Sequence, residues 1–544
     1  MQEIKKIYGI DLGTTYSCIA HINKNGEPEV IPNAEGELTT PSVVFFESPG
    51  NVVVGTVAKQ SAELEPDRVV DFVKRSMGDE NFAFEVDGRA YKPEEISSFI
   101  LRKLVKDASA YLGEPITDVV ITCPAYFGIK EREATKKAGE IAGLTVHSVL
   151  NEPTAAAFSY GLDRAEEDQV VLVYDLGGGT FDVTMIEVKG KDISVITTGG
   201  DHHLGGKDWD DRIIEYFATE FMKEHGEDQD PRDDRYTMQD LRNKAEEAKK
   251  ILTAKEKYKT VVSYEGERTE IELTREKFEE LTKDLLDRTI TLTKNIMEEA
   301  KNKGHSQVTK MLLVGGATRM PMVMEAIKSE LGIEPFLYEP DQAVAKGAAL
   351  ISLKKFAEEV VEVTEGDTGE IERIAKERGI FLPGEVIAER AQGRITPISS
   401  KAFGVVVVRF DENGKEIEYV HHVIDRHASL PAEKTETGFG TLHDNQTTVL
   451  IKLMEQADGN TEPSEDLEDN VLLAEGQLKD LPPNLPAGSP IHVTFRLEED
   501  GRLTVHAVEP SSGRDCVVEA KVTGVMSKEE VIKSKEALLG FNVS

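Results

Sequence analysis

Two aspartates, each followed by Leu-Gly, are placed where residue type and spacing could do chemistry: Asp11 in GIDLGTTYSCIA (residues 9–20) and Asp175 in VYDLGGGTFDVTMI (173–186). In each phrase an apolar run enters, Asp-Leu-Gly turns the chain, a Thr follows and an alternating stretch leaves, which predicts a β-hairpin. Glycines at the turns, Gly13 in the first and Gly177, Gly178 and Gly179 in the second, remove side chains that would keep a phosphate from backbone N–H groups. Asp11 and Asp175 could hold a hydrated Mg2+ against that phosphate. An Asp-Gly turn is also ordinary hairpin punctuation, so one copy decides little. Two copies could face each other across one nucleotide. A third phrase, KMLLVGGATRMPMVMEAI (310–327), reads as a buried strand, a turn at Gly315 and Gly316, and a helix with Pro321 in its first turn, a geometry that admits a nucleoside. No G-x-x-x-x-G-K-[ST] run precedes a helix, so the predicted site is not a P-loop.

The elements that must position these residues follow from period and length. A chain of 544 residues exceeds what one core organises, so two or more domains are expected. From residue 1 to about 357, strands and amphipathic helices alternate, which predicts an α/β domain with one lobe near 1–161, a second near 169–357 and the ligand between them. Within the second lobe, DLRNKAEEAKKILTAKE, VVSYEGERTEIEL and a long amphipathic run predict an inserted subdomain that could cap the nucleotide. Residues 358–395 are acidic, partly helical in period and bounded by glycines, and read as a linker or small inserted element. From 396 to 525 the period changes to two, as in FGVVVVRFDENGKEIEYV and IHVTFRLEEDGRLTVHAVE, predicting a β-sandwich with an exposed polar loop at QADGNTEPSEDLEDN. Residues 526–544 start with a capping box at Ser527 and Glu530 and predict one short helix. The fold class is α/β plus β.

Charge and composition exclude some functions. The 100 acidic against 64 basic side chains give a formal charge of −36, which opposes simple electrostatic binding of nucleic acid or an anionic membrane. Three scattered cysteines, Cys18, Cys123 and Cys516, give neither a disulfide framework nor a zinc site, and fit a reducing, cytoplasmic compartment. The first strand follows the N-terminal residues with no apolar signal core, and no run of eighteen apolar residues occurs. Cys18 reads as a small buried hydrophobe rather than an oxidation sensor.

Together, GIDLGTTYS, FVKRSMG, ITCPAYF, NEPTAAAFSYGLD, YDLGGGTFDV, GGDHHLGGKDWD, LVGGATRMPMV and EPDQAVAKGAA resemble, in their order, the seventy-kilodalton heat-shock chaperone family, the DnaK-like proteins. The resemblance is close from residue 7 to about 357 and weaker from 396 to 525, where it rests on LHDNQTTVLIKL and the final hairpin. It implies a two-lobed actin-like ATPase domain followed by a β-sandwich that binds extended apolar polypeptide segments. It assigns Asp11, Gly13, Thr14, Thr15 and Tyr16 to the first phosphate hairpin, and Gly177, Gly178, Gly179 and Thr180 to the second. Asp11, Asp175 and Asp182 would serve Mg2+ and K+. Lys74 would place an ammonium beside the γ-phosphate and attacking water, and Glu152 would help position a magnesium-bound water or the nucleophile. Read alone, Lys74 is a surface lysine beside Arg75 and Glu152 a helix-start signal. The adenosine would be held by Glu246, Lys249, Lys250 and Thr253, at i, i+3, i+4 and i+7 on one helix face, a spacing that otherwise makes an exposed ion-pair ladder. Gly315, Gly316 and Arg319, with Asp341 nearby, would pack on base and ribose. Arg132 and Pro124 would transmit the nucleotide state. Val449 and Ile451 would line the peptide pocket, against core packing as the plain alternative.

Three features depart from the family pattern: residues 358–395 replace its short leucine-rich linker, Ser148 stands where it has an arginine for J-domain co-chaperones, and no long helical lid follows the sandwich. The leading expectation is an ATP-hydrolysing (ATP/ADP, Mg2+) chaperone acting on unfolded segments, with a nucleotide-exchange factor as a partner and a J-domain partner left open. A nucleotide-dependent module that docks folded partners is the alternative. A sugar or acid kinase on the same scaffold leaves the sandwich unexplained.

Overall fold

The computed structural model describes residues 5–161, 167–457, 464–499, 501–519 and 525–544. The repeated phrase is a repeated topology. One sheet has the strand order Thr145–Asn151, Asp118–Cys123, Tyr8–Asp11, Tyr16–Ile22, Pro28–Ile31; the other runs Pro335–Leu337, Lys310–Val314, Gln169–Leu176, Phe181–Lys189, Asp192–Asp201. In each, the strand entering the Asp-Leu-Gly turn is parallel to the neighbour on one side (Tyr8↔Val119, Val171↔Lys310) and antiparallel to its hairpin partner on the other (Asp11↔Cys18, Asp175↔Asp182). The parallel strands are covered on both faces, so Asp118–Cys123 is buried at every position and Lys310–Val314 at all but its first.

Helices Glu152–Ser159 and Ala343–Val363 lie between the two sheets, and alanines let them approach closely: Ala155, Ala156, Ala157, Ala345 and Ala349 share an apolar cluster with strand residues of both. A Cβ on Gly347 would lie 1.7 Å from the Ala155 carbonyl oxygen, and one on Gly9 2.4 Å from the Ala349 nitrogen. The sheets therefore meet over a nearly side-chain-free crossing, with the hairpin turns at one end.

The inserted subdomain expected in the second half is present as helix Arg235–Ala254, hairpin Lys257–Tyr264 with Glu267–Thr274, and helix Arg275–Asn302. Its helices begin at Asp234 and Thr274, whose side chains accept the N–H of Thr237 and Lys277.

The boundary expected at 357 falls inside helix Ala343–Val363, and of the two readings of 358–395, a linker or a small inserted element, the structure has the element, since most of the stretch is helical. Helices Thr368–Glu377 and Gly384–Arg390 bury Ile371, Ala375 and Ile387 in the same inter-sheet cluster. The Lys354 ammonium closes the second of them by donating to the carbonyls of Ala391, Gln392 and Gly393. Acidic residues on the outer faces carry the low hydropathy that suggested a linker. The chain then adds Ile395–Thr396 as an edge strand beside Asp192–Asp201.

Beyond it, two four-stranded antiparallel sheets pack face to face: Glu416–Ile424, Phe403–Phe410, Val449–Gln456, Asn470–Leu478 and Ala432–Gly440, Pro490–Leu497, Leu503–Glu509, Arg514–Glu519. Alternate residues of both, including Phe403, Leu453, Val493 and Phe495, form their common core. Of the polar stretch expected as a loop, residues 458–463 lie outside the described residues. The helix expected near the end is Lys528–Leu539, with the reciprocal Ser527 and Glu530 cap. Among the described residues no helix is long and apolar enough to cross a membrane.

Candidate active site

The two hairpin turns face each other across a cavity of about 660 Å³. Asp11, Gly13, Thr14, Thr15 and Tyr16 line it from the first turn, and Asp175, Gly177, Gly178 and Thr180 from the second. Gly315, Gly316, Arg319 and Asp341 line another wall, and Glu246, Lys249, Lys250 and Thr253 arrive together on the helix face that their spacing predicts. Two expected residues sit behind the wall rather than on it. A Cβ on Gly179 would lie 2.3 Å from the Thr14 side chain. Asp182, opposite Asp175 in the hairpin register, is buried and accepts the Ala125 N–H at 3.0 Å.

The approach of the turns depends on missing side chains: a Cβ on Gly178 would lie 1.7 Å from Thr15 Oγ1. The second turn is held from behind by helix Gly206–His225, whose Gly206 and Lys207 N–H groups donate to the carbonyls of Gly177 and Gly178. From the first half, Arg75 donates to the Gly179 carbonyl at 2.8 Å and pairs with Asp208 at 2.5 Å. Its neighbour Lys74 is not at the surface. Phe72 takes φ +52, a left-handed backbone uncommon for a bulky residue, and the short turn Val73–Ser76 that follows buries Lys74. Its Nζ lies 2.5 Å from Glu152 Oε1 at the start of helix Glu152–Ser159, both side chains under 10% exposed.

Buried carboxylates outnumber buried ammonium groups here. Burial and the Glu152 charge push the Asp11 carboxyl up to about 7, although Lys74 and Thr122 pull it down. The same two causes push Asp175 and Asp182 well above the usual carboxylate range. Such a site takes up protons or a cation. No group of three or more His, Cys, Asp or Glu side chains converges to hold an ion among the described residues. Asp11 and Asp175 could hold a hydrated divalent ion such as Mg2+ against a substrate's phosphates. Thr15 Oγ1 is buried with no protein hydrogen-bond partner, an orphan that a phosphate oxygen would satisfy. The residues fit a nucleotide with its metal.

Toward the inserted subdomain, burial raises the Glu246 carboxyl but is outweighed by Lys59 and Lys250, which hold it down at about 2. Tyr16 Oη donates to Glu246 at 3.3 Å. Lys249 donates to the Gly206 carbonyl and pairs with Asp210 at 2.7 Å, while burial pushes Asp210 up to about 6 against that pairing. Thr253 returns its hydroxyl to the Lys249 carbonyl, and Arg319 pairs with Asp341 at 2.5 Å. Lys59 escapes sequence reasoning because it belongs to no recognisable phrase, and Asp210, although it closes GGDHHLGGKDWD, because its pairing with Lys249 is made only in the fold. Arg75 was visible in FVKRSMG, but its grip on the opposite hairpin requires the tertiary fold.

Beyond the cavity, Arg132 donates to the carbonyls of Phe127 and Ala125 and to Asn151 Oδ1, the residue before Glu152. Pro124 opens the loop they share. Ser148 accepts a hydrogen bond from Lys355 at 2.9 Å. The Cys18 thiol is buried and pushed well up by that burial, which opposes thiolate chemistry. Val449 and Ile451 differ from the expected pocket lining: strand alternation turns them toward the facing sheet, where Ile451 is 5% exposed within the core, while Leu450 points outward at 45%.

The Hsp70 protein family model matches residues 7–367 and 414–538. The chain is 39% identical over 538 residues to the chaperone protein DnaK of Thermosipho melanesiensis, covering 97% of this chain and 82% of that one. It is 41% identical over 537 residues to the DnaK of Thermotoga neapolitana and 40% identical to that of Thermotoga maritima, in each case covering 96% of this chain and 82% of the relative.

Proposed function

The chain belongs to the Hsp70 family and is an ATP-dependent chaperone with ATPase activity, and from that premise we propose that ATP is hydrolysed between the two hairpin turns of an actin-like, two-lobed domain. The carrying observation is the cavity at which Gly178 meets Thr15 and the buried Lys74–Glu152 pair stands beside both turns. Backbone N–H groups and the hydroxyls of Thr14, Thr15 and Thr180 bind the phosphates. Glu152 and Thr180 orient a water for in-line attack on the γ-phosphorus; the new P–O bond forms as the bond to the β-phosphate oxygen breaks, and Lys74 offsets the charge that spreads over the equatorial oxygens. Asp11 and Asp175 would hold the hydrated Mg2+, which supplies neutralisation of the phosphate oxygens, with K+ near Asp182. Glu246, Lys249, Lys250, Thr253, Gly315, Gly316, Arg319 and Asp341 receive the adenosine.

The sandwich binds extended apolar segments of unfolded polypeptides, in the cytoplasm, with a nucleotide-exchange factor resetting the site. A J-domain partner would meet Ser148 and Lys355 where the family has an arginine. Single-turnover hydrolysis tests the assignment. Lys74→Ala and Thr180→Ala are expected to bind ATP and hydrolyse it at least ~100-fold more slowly; parent-like rates would remove both residues from the chemistry.

A further inference from the structure

Outside the nucleotide cleft, a small sheet in the first half is completed by a segment from the far end of the chain. Strand Asn51–Val54 pairs with Val44–Ser48 on one side and, on the other, with Asn542–Val543 in parallel (Asn542↔Asn51, Val543↔Val52). Asn542 N–H donates to the Gly50 carbonyl at 2.8 Å and Ser544 N–H to Val52 at 3.0 Å, while Val54 N–H donates back to the Ser544 carbonyl at 2.9 Å. The side chains alternate. Phe541 packs against Phe99 in a tilted pair with ring centroids 5.6 Å apart, Asn542 faces out, and Val543 is 4% exposed. Helix Pro93–Leu112 grips the same segment by its backbone: Arg102 donates to the carbonyls of Leu538 and Phe541, and Lys106 to that of Val543. Residues 539–544 lie outside the residues matched by the Hsp70 family model.

Backbone pairing along an edge strand, with pockets for alternate side chains, is how a sheet edge binds an extended peptide. We infer that the edge of Asn51–Val54 is a strand-accepting peptide site, selective for an aromatic-polar-aliphatic segment, and that residues 541–544 are its internal, displaceable ligand. The ladder is two residue pairs long and its cationic grips touch only carbonyls, so any extended segment with that alternation meets the same groups. While the site is filled, the sandwich is anchored to both halves of the α/β domain, through Ile395–Thr396 on the large sheet of the second half and through this segment on the small sheet of the first.

The test uses variants of the 544-residue chain and a fluorescent peptide of sequence LLGFNVS. Val543→Asp places a carboxylate where methyl groups are buried and empties the edge; Asn542→Ala alters an outward-facing side chain and serves as control. An internal ligand competes at high effective concentration, so Val543→Asp is expected to bind the peptide about tenfold or more tightly than the parent or Asn542→Ala. Adding Arg102→Ala to Val543→Asp should abolish the gain, and amide exchange at Val54, Asn542 and Ser544 should be slow in the parent and fast in Val543→Asp. Equal peptide binding by Val543→Asp and the parent overturns the inference. So does a gain that survives Arg102→Ala, because the peptide then sits elsewhere, and so does fast exchange of those amides in the parent.

Discussion

At the residue scale, the site rests on what is missing as much as on what is present. The Gly178 α-carbon faces Thr15 at a separation no side chain could share, so Gly178→Ala must push the hairpin turns apart. Overpacking of this kind costs about 1–3 kcal/mol. ATP affinity, measured by calorimetric titration, should fall by up to about two decades if that cost is borne by the bound state. The glycines and aspartates were legible because each has few other reasons to occupy a hairpin turn twice in one chain. Lys74 was legible only through its surrounding phrase, since a lysine beside an arginine reads as surface. Its burial depends on the left-handed Phe72 backbone and on Glu152, 78 positions away. Lys59, which joins Lys250 in holding Glu246 ionised, left no local signal because its partner lies 187 positions away across the cavity.

At the element scale, hydrophobic period marked out strands and helices well, and in residues 358–395 it showed helical character without deciding between a linker and a packed element. Helix Thr368–Glu377 buries Ile371 and Ala375 and packs Ile374 against the same cluster, a short stripe beside charged faces whose docking partner lies elsewhere in the chain. The crossing of helices Glu152–Ser159 and Ala343–Val363 was likewise hidden, since a Gly within an alanine-rich helix signals nothing without its neighbour. Gly347→Ala should lower the α/β domain's stability by about 2–3 kcal/mol, seen as a lower calorimetric transition temperature.

The loop following strand Glu416–Ile424 carries a pH-dependent contact. His427 lies 2.9 Å from the Thr198 carbonyl and 3.3 Å from the Thr197 hydroxyl and Glu299, and Arg426 donates to the Thr198 carbonyl. Burial lowers the imidazole's proton affinity below its ordinary value of 6.5, and Arg426 and Lys303 add to this, together outweighing Glu299. Undocking therefore takes up a proton. The contact is at full strength above pH 6.5 and weakens as pH falls below it. Energy transfer between dyes on the sandwich and the second sheet should decline from pH 7.5 to 5.5 in the parent and stay flatter in His427→Gln.

At the scale of the whole molecule, a helix start links the sandwich to the residues behind the cavity between the hairpin turns. Helix Ile129–Ile141 has Gly128 at its N-cap with no side-chain cap of its own. The cap comes from the sandwich: Glu455, at the end of strand Val449–Gln456, is 5% exposed and accepts the Ile129 N–H at 3.1 Å. A carboxylate is favoured at a helix N-terminus, and Gly128 leaves the room, since a Cβ there would lie 2.9 Å from the Glu455 carboxylate. One turn on, Arg132 holds Asn151, whose neighbour Glu152 pairs with Lys74 inside the cavity. Contacts alone do not establish coupling; that needs a difference in free energy between the two nucleotide states. If ATP loosens peptide by some factor, peptide must weaken ATP by the same factor. Glu455→Ala is expected to leave both ligands able to bind while removing about 0.5–2 kcal/mol of their coupling. The dissociation rate of a fluorescent Leu-rich peptide in ADP and in ATP measures it. The parent should release peptide faster in ATP, Glu455→Ala should bring the two rates toward each other, and Glu455→Gln, which keeps an acceptor for Ile129, should fall between. A ratio unchanged by Glu455→Ala would place the coupling in the other docked contacts, the linker strand Ile395–Thr396 and the His427 loop.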